Sequence, residues 1–541
     1  MEKASSVEAP SLLLGALLGG ITILPVMALM FLASRLAGLP FVPFDLFDWI
    51  SRAIPGNVLT VLIDSMVKVI LLLKLGNISH TAKILEQAIA IITVLVLGIV
   101  FGAVLAYALM RVPWSSDRIG LTGGSILALF VIGVELSRGF QASLWLGVPW
   151  LALLMVGWGT LLARWLGREV RPAESPLDRA AFQADRRALL LRIAGGSTGI
   201  ALAASGLGWL IKEQHAASGA NLPLPRGGPE VPSIAPRPQA GQPVGQRIEP
   251  AAGTRPEVTA NEDFYRIDIN LLPPSLRQDS WQLSVKGLFD RPRSLSLSDL
   301  MAFPAVTQPI TLSCISNPIG GDLIGNAYWT GLRLVDLLED LGLRAAAREL
   351  RIDAADGFAE SVTMPDLTDA RTLLVYGMNG KTLTIAHGFP LRILIPNHYG
   401  MKQPKWITGI EAIDRGFVGY WVERGWSQEA RPQVLTIIDN IARDVAVDGL
   451  IPIGGVAWAG DRGIKKVEVQ VDGGPWEEAR LRFPPLGGQT WVQWRYDWKS
   501  VAGRHTFRVR GADGAGREQT GKPAEPFPDG ATGYHSITVT I

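Results

Sequence analysis

The sequence predicts a multi-domain chain, in which an α-helical transmembrane domain is followed by an α+β domain and an all-β sandwich. Hydrophobic residues make up 48% of the 541 residues and charged residues only 18%, and the long apolar runs are concentrated in the N-terminal two-fifths. Strand-like and helix-like segments alternate irregularly in the middle of the chain, which is typical of an α+β domain. Short strand patterns separated by turn signals fill the C-terminal part, as in a β-sandwich.

Apolar stretches long enough to cross a bilayer lie within residues 1–211, since a spanning helix needs about 20 mostly apolar residues. One of them, residues 57–75, is weaker because it carries Asp64 and Lys68. These two are four residues apart and are expected to pair inside a bundle. The alternative is a helix in the membrane interface, the place also expected for residues 41–54. We expect six spans, with five as the alternative, at residues 11–34, 57–75, 84–110, 119–136, 144–166 and 189–211.

Basic residues predict the orientation of these spans. The loop before the last span is rich in arginine, and such loops stay in the cytoplasm. The last span then delivers everything after it to the outer face of the plasma membrane, with five spans or six. Arg186-Arg187 before a Gly/Ala-rich segment also resembles a twin-arginine export signal, and an ordinary charged flank is the equal alternative. The loop arginines are Arg164, Arg168, Arg171, Arg179, Arg186 and Arg187.

The predicted spans contain no histidine, which argues against a haem in the membrane part because haem iron usually needs histidine ligands. The membrane part is therefore an anchor, a quinone-contacting element or a partner surface. Residues 212–258 are rich in Pro and Gly and predict an extended linker. No basic block is interleaved with aromatics, so nucleic acid is not an expected partner. The histidines of the chain are His80, His215, His387, His398, His505 and His535.

Cys314 is the only cysteine, so it cannot form an internal disulfide and is either an inert buried thiol or a reactive one. It follows a short apolar strand pattern at residues 310–312 and precedes Asn317-Pro318 and Gly320-Gly321. A residue between a strand end and a glycine-rich loop lies where backbone can approach a ligand closely.

Strand and helix patterns divide the soluble part into a central domain, residues 259–428, and a C-terminal domain, residues 432–541. The central domain has no Gly-x-Gly-x-x-Gly or Walker loop in a suitable place. In the central domain we predict strands at 281–289, 391–395 and 407–413 and helices at 296–303 and 332–341. In the C-terminal domain we predict strands at 466–471, 491–498, 505–509 and 536–541.

Five motifs that follow one another in a fixed order allow the central domain to be compared with a known family. They are residues 261–266 (Asn-Glu-Asp-Phe-Tyr-Arg), the Cys314 loop, residues 376–380, residues 387–392 (His-Gly-Phe-Pro-Leu-Arg) and residues 399–406. This order resembles the sulfite oxidase family of molybdopterin enzymes, which includes the catalytic subunit of bacterial periplasmic methionine-sulfoxide reductase. The resemblance covers about residues 259–541. It implies a sulfite-oxidase-like α+β molybdopterin domain, followed by an immunoglobulin-like domain that mediates homodimers.

The resemblance also implies site residues. Cys314 takes the position of the catalytic cysteine whose thiolate binds molybdenum, and a soft thiolate suits a metal held by a dithiolene. The pterin phosphate needs cations and N–H donors. Alone, each polar residue has an ordinary interpretation as a loop histidine, an edge ion pair or a solvated charge. The implied cofactor-binding residues are Asn261, Tyr265, Arg266, Cys314, His387, Arg392, Lys402, Gln403 and Lys405.

The chain departs from the family at the substrate side. Sulfite oxidases follow the cysteine with two arginines, whereas this chain has Pro318-Ile319-Gly320, and Phe358 stands where the family has a tyrosine. An anionic substrate such as sulfite is therefore not expected. Asp322 and Asn326 either face the pocket or cap the turn and a following helix, and capping is the favoured interpretation.

Together these patterns predict a membrane-anchored bacterial molybdopterin oxidoreductase that transfers an oxygen atom on a small substrate at the outer face of the membrane. Electrons are exchanged with an external carrier, either a cytochrome or a quinone. Sulfite oxidase or methionine-sulfoxide reductase proper is the alternative within the class. Outside it, the alternatives are a cysteine hydrolase using Cys314 with His387 or His398, and a catalytically inactive membrane receptor.

Overall fold

The computed structural model describes residues 11–139, 143–168, 176–210, 248–446 and 448–541. The predicted linker as far as residue 247 and the arginine side chains of the basic loop beyond Arg164 lie outside this described part. Two compact units are present, one of Met1–Ile54 with Lys83–Ala216 and one of Pro55–Ala82 with Ala217–Ile541. The predicted domain boundaries at residues 211, 258, 428 and 432 stay predictions.

The described residues of the N-terminal region form helices joined by short connections. Ser11 begins the first helix by accepting a hydrogen bond from the Leu14 N–H at 3.1 Å, and Gly38 ends it in a left-handed conformation. Small residues let helices pack closely here, since a Cβ added to Gly19 would lie 2.9 Å from the Cα of Gly102. The helices are α1 Leu12–Ala37, α2 Val42–Ala53, α3 Gly56–Leu73, α4 Ile78–Arg111, α5 Ser116–Ser137, α6 Leu144–Arg168 and α7 Pro176–Leu210.

Within the part of the chain that the structure describes, five helices are long and apolar enough to cross a membrane: Leu12–Ala37, Gly56–Leu73, Ile78–Arg111, Ser116–Ser137 and Leu144–Gly167. They include the weak stretch at 57–75. Helix α7, which contains most of the last predicted span, is not among them, so that span stays a prediction. His80 lies in the first turn of α4, which begins six residues before the predicted start of the span, and the absence of histidine from the span itself stays a prediction.

Helix α3 is part of the second unit. Its Lys68 bonds the carboxylate of Glu525 at 3.0 Å rather than Asp64, contrary to the pairing expected within a bundle. Both side chains of this pair are largely exposed, 61% for Lys68 and 64% for Glu525.

The central part of the second unit contains two sheets and short helices, as the α+β prediction required. One sheet has the order β2-β1-β10-β5-β6 and the other the order β3-β4-β7-β8, with β9 paired to β7. Strands β1 and β10 run parallel, and the other pairs are antiparallel. The strands are β1 Leu283–Gly287, β2 Ser294–Leu295, β3 Ala305–Ser313, β4 Ile324–Arg333, β5 Glu349–Ala354, β6 Ala359–Thr363, β7 Leu373–Met378, β8 Lys381–Thr382, β9 Arg392–Leu394 and β10 Ile407–Ile413.

Both predicted helices of this part are present, although shorter than predicted. Helix α8 Leu297–Met301 begins with a capping box between Ser296 and Asp299, and α9 Leu334–Leu341 buries Leu334, Leu337, Leu338 and Leu341. These leucines join a core built from strands of both sheets. The remaining short helices are α10 Met364–Leu367 and α11 Tyr420–Glu423.

The C-terminal part consists of two four-stranded antiparallel sheets, ordered β11-β12-β16-β15 and β14-β13-β17-β18. Ile453 and Trp494 from the first sheet and Val467 and Phe507 from the second share one buried core. All four predicted strands are confirmed. The strands are β11 Leu435–Ile441, β12 Leu450–Trp458, β13 Ile464–Val471, β14 Trp476–Glu478, β15 Arg480–Leu481, β16 Val492–Lys499, β17 Arg504–Asp513 and β18 His535–Thr540.

A separate apolar cluster joins the central sheets to the C-terminal ones. Ile315 and Ile324, on either side of the loop after Cys314, pack in it with Tyr399, Trp458 and Trp491. The Cys314 loop therefore rests on side chains from both parts of the second unit.

Candidate active site

Cys314 lies directly after β3, at the start of a tight loop. Its N–H donates to the Leu323 carbonyl at 2.9 Å, and its carbonyl accepts from the Asn317 N–H at 3.2 Å. The Asn317 side chain closes the loop by accepting from the Leu323 N–H at 3.0 Å. The thiol is buried, with its Sγ 3.0 Å from the Ser316 hydroxyl, and burial raises its pKa. A thiolate at this position therefore needs a cation to stabilise it.

Tyr265 brings the first motif to the cysteine strand. A Cβ added to Gly400 would lie 2.9 Å from the Tyr265 hydroxyl and 3.5 Å from the Ser313 carbonyl, so three motifs meet at this glycine. The Tyr265 ring stacks on Phe264 with ring centroids 5.5 Å apart. Burial, followed by the charge of a Cys314 thiolate, raises the pKa of Tyr265, which keeps the phenol neutral.

His387 and Asn261 connect the first, third and fourth motifs. The His387 Nε2 lies 2.8 Å from the Asn261 carbonyl, and the Asn261 side chain accepts from the Asn379 amide at 2.8 Å. The ring of Phe264 meets His387 edge to face. Burial lowers the pKa of His387 to about 4, so its imidazole is neutral near pH 7. With Nε2 donating to the carbonyl, Nδ1 is left as an acceptor.

Arg392 is a buried cation with a vacant donor. Only 5% of the residue is exposed, its Nη1 donates to the His387 carbonyl at 3.2 Å, and its guanidinium lies 4.9 Å from the centre of the Trp329 ring. Its Nε has no hydrogen-bond partner. Burial lowers the pKa of Arg392 to about 10, which leaves it charged at neutral pH. A buried cation with an unused N–H fits an anionic group such as a phosphate.

Arg266 and Lys405 are held by one buried carboxylate, Asp268. The Arg266 Nε lies 2.7 Å from Asp268, and the Lys405 ammonium bonds the same carboxylate. Lys405 also donates to the Ala386 carbonyl at 3.2 Å and lies 4.4 Å from the Trp406 ring. Burial lowers the pKa of Lys405, and the Asp268 charge opposes that effect.

Lys402 and Gln403 are engaged inside the protein. The Lys402 ammonium bonds the Glu360 carboxylate at 2.9 Å, and both side chains are 1% exposed. Gln403 donates to the His398 carbonyl at 3.0 Å and accepts from the Ile395 N–H at 3.3 Å. These contacts hold the loop that carries Gly400, and cofactor binding by Lys402 and Gln403 stays a prediction.

Asp268 and Glu360 were missed in the sequence. The sequence did offer a signal for Asp268, because this acid lies two residues after Arg266, the last residue of the first motif. Glu360 had none, since an acid in a strand pattern is usually read as solvent-facing. Burial raises the pKa of Glu360, and the Lys402 charge opposes the rise.

Two expectations beside the Cys314 loop need correction. Asn326 does not cap a helix, because β4 follows the loop, and its buried amide bonds the Thr311 hydroxyl at 3.0 Å and the Glu257 carbonyl at 2.7 Å. Asp322 caps a helix, but this helix is α4 and does not follow the loop: the Asp322 carboxylate accepts from the Ile78 N–H at 3.1 Å. Phe358 is buried against Tyr420, with ring centroids 5.8 Å apart.

The geometry does not form a cysteine–histidine pair among the described residues. The His387 Nε2 bonds the Asn261 carbonyl and the His398 Nδ1 lies 2.9 Å from the Glu429 carbonyl, whereas the Cys314 Sγ contacts Ser316. A nucleophilic cysteine needs a base within hydrogen-bond reach. The hydrolase alternative therefore lacks its base in this arrangement.

Comparison with known proteins agrees with this site. A family described as oxidoreductase molybdopterin binding domain matches residues 270–421. The chain is 33% identical over 152 residues to the uncharacterized oxidoreductase YuiH of Bacillus subtilis, covering 28% of this chain and 75% of that protein. It is 29% identical over 280 residues to the sulfite oxidase of Arabidopsis thaliana, covering 42% of this chain and 71% of that protein.

Two further similarities cover larger shares of this chain. Human mitochondrial sulfite oxidase is 26% identical over 317 residues, which is 50% of this chain and 58% of that protein. The sulfane dehydrogenase SoxCD from Paracoccus pantotrophus is similar in structure, with a TM-score of 0.47 and 19% identity over 60% of this chain and 96% of that one.

The site, the matching family model and the sequence relatives define a molybdenum cofactor-dependent oxidoreductase. The chain belongs to the sulfite oxidase family of molybdopterin enzymes.

Proposed function

We propose that the chain is a membrane-anchored bacterial enzyme that catalyses oxygen-atom transfer between water and a small substrate. The observation that carries the proposal is the meeting of the family motifs around a buried thiol and a buried arginine with a vacant donor. Five helices of spanning length support the membrane anchor.

In this proposal each site residue acts through the contact described for it. Cys314 ligates molybdenum, Arg392 donates its unused N–H to the pterin phosphate, and Tyr265, His387 and Asn261 line the cofactor as neutral groups. Arg266 and Lys405 present positive charge fixed by Asp268, while Lys402 and Gln403 hold the backbone of the last motif. When bound, the cofactor supplies the two-electron chemistry that side chains lack.

The surroundings of the Cys314 loop favour an uncharged substrate. Pro318-Ile319-Gly320 brings no cation to the loop, and the group packed on Gly320 is His535. Burial lowers the pKa of His535 to about 4, so it is neutral at physiological pH. The cation near His535 is Arg255, which is already paired with the Asp439 carboxylate at 2.7 Å, so a dianion such as sulfite would lose its hydration with little compensation at this loop. A methionine-sulfoxide-like substrate fits this loop better, and sulfite oxidation is the alternative.

The C-terminal sheets and the electron carrier complete the proposal. Two four-stranded antiparallel sheets around one core support an immunoglobulin-like sandwich, which we propose as the surface of a homodimer. An external cytochrome or a quinone exchanges electrons with the enzyme.

The catalytic unit should lie outside the bacterial plasma membrane. A reporter enzyme that works only in the cytoplasm, fused after Ile541, is therefore expected to be silent, because the arginine-rich loop keeps its charges inside. The same reporter fused within that loop serves as the positive control. Activity of the fusion after Ile541 would show that the orientation is the opposite of the one proposed.

Cofactor content tests the proposed function directly. Purified wild-type protein should contain molybdenum and pterin in near-stoichiometric amounts and should reduce a sulfoxide with a soluble dye as electron donor. Arg392→Ala should fold but hold substoichiometric cofactor, since a buried hydrogen bond to a charged group is worth roughly 1.5–3 kcal/mol.

Arg344→Ala is the matched control for this experiment, because Arg344 lies in the same unit in an exposed pair with Asp290. It should keep full cofactor content. A wild-type protein free of molybdenum would refute the function, and full occupancy in Arg392→Ala would refute the role given to Arg392.

A further inference from the structure

A cluster of charged side chains is buried in the first unit, between α2 and α5. The Arg138 Nη2 donates to Asp48 at 3.1 Å, and its Nη1 donates to Asp45. Glu135, one turn earlier on α5, is 5% exposed and lies within reach of Asp45. Ionisable groups inside an apolar helical bundle are costly and usually mark a functional site.

Two atoms of this cluster are buried without a hydrogen-bond partner. They are the Glu135 Oε1, an acceptor, and the Arg138 Nε, a donor. Arg138 is the C-cap residue of α5, three residues after Glu135, and its charge acts on Glu135, so the acceptor and the donor lie near each other at the end of this helix. A buried polar group without a partner costs free energy, which a ligand able to pair both atoms would recover.

We propose that this cluster binds the headgroup of a lipid-soluble quinol. A hydroquinone hydroxyl donates one hydrogen bond and accepts another, which matches the vacant acceptor on Glu135 and the vacant donor on Arg138. This inference rests on the proposed function and identifies its electron carrier as a quinol.

Aromatic side chains beside the cluster suit the ring and tail of such a ligand. Trp49 follows Asp48 on α2 and meets Phe130 of α5 edge to face, with ring centroids 6.1 Å apart. Phe130 and Leu129 are exposed on α5, on a helix of spanning length. An apolar tail can therefore remain in lipid while the headgroup reaches the charges.

The test uses the full-length protein in detergent micelles, titrated with a short-tailed ubiquinol in a calorimeter. Wild type should bind it saturably. Glu135→Leu, which removes the acceptor at similar volume, should bind at least about fivefold more weakly, as expected for the loss of one hydrogen bond. Glu135→Gln keeps the shape of the side chain and an acceptor oxygen, so it should bind the quinol more tightly than Glu135→Leu.

Asp117→Asn is the matched control, because Asp117 lies in the first turn of the same helix in an exposed pair with Arg164. It should bind the quinol like wild type. The inference would be overturned if wild type showed no saturable binding, if Glu135→Leu bound the quinol as tightly as Glu135→Gln, or if the site bound sodium ions in place of quinol.

Molybdenum content and dye-driven turnover of the same samples separate the two proposals. Quinol binding by a protein without molybdenum refutes the oxidoreductase function alone. Dye-driven turnover by a protein that binds no quinol refutes only the quinol site.

Discussion

Replacement of Cys314 by serine is expected to abolish turnover in a protein that still folds. Serine has nearly the volume of cysteine but is a harder and poorer donor, so it cannot replace a thiolate as a molybdenum ligand. The loop should keep its shape, because the hydrogen bonds that form it use the Cys314 backbone and the Asn317 side chain. Electron paramagnetic resonance of partly reduced samples should show a Mo(V) signal of altered shape in Cys314→Ser.

Activity alone does not decide this experiment, because any role of the thiol in the reaction would be lost as well. Molybdenum content and the Mo(V) spectrum must therefore be measured for both proteins. Ser316→Ala is the control, since it removes the hydroxyl 3.0 Å from the Cys314 Sγ and leaves the thiol in place. A Mo(V) spectrum that is the same in wild type and Cys314→Ser would exclude Cys314 as the ligand.

The second large effect is expected at the buried Lys402–Glu360 pair. Lys402→Met should leave the Glu360 carboxylate buried without its partner and lower the free energy of unfolding by roughly 3–5 kcal/mol. The midpoint of thermal unfolding of the full chain in detergent should fall by roughly 10 °C. Removing both charges in Lys402→Met/Glu360→Leu should restore most of the loss, because no unpaired charge remains.

An exposed pair in the same unit provides the comparison. Arg344 and Asp290 are 2.9 Å apart with side chains 55% and 66% exposed, so Arg344→Met should cost less than about 1 kcal/mol. A Lys402→Met variant as stable as Arg344→Met would show that Glu360 is accommodated without Lys402. A double variant no better than the single one would point to packing rather than charge.

The local pattern of apolar residues was sufficient to predict many of the helices and strands. Strand β10 was predicted at the residues where it occurs, and α9 was recognised from the spacing of its leucines. Both are elements whose buried side chains repeat with the period of the element, which is the signal a single sequence carries. The chain order of the motifs likewise brought Cys314, His387 and Arg392 into one prediction.

Partners distant in sequence were not accessible in the same way. The burial of Glu360 depends on Lys402, and the pairing of Lys68 with Glu525 depends on α3 belonging to the second unit. Hydropathy measures how apolar a segment is and carries no information about what covers it. The unit to which α3 belongs and the partners of Lys68 and Lys402 were therefore visible only in the structure.

The contact between Gly320 and His535 has a consequence for the order of assembly. The His535 ring accepts from the Ile438 N–H at 3.0 Å through Nδ1, and it packs so closely on Gly320, at φ +79°, that any larger residue there would collide with it. During translation the Cys314 loop leaves the ribosome well before β18 exists. The surface on which the Cys314 loop packs is then complete only after β18 has been synthesised and has paired with β17. Insertion of the cofactor should accordingly be a late, post-translational event in the biogenesis of this protein.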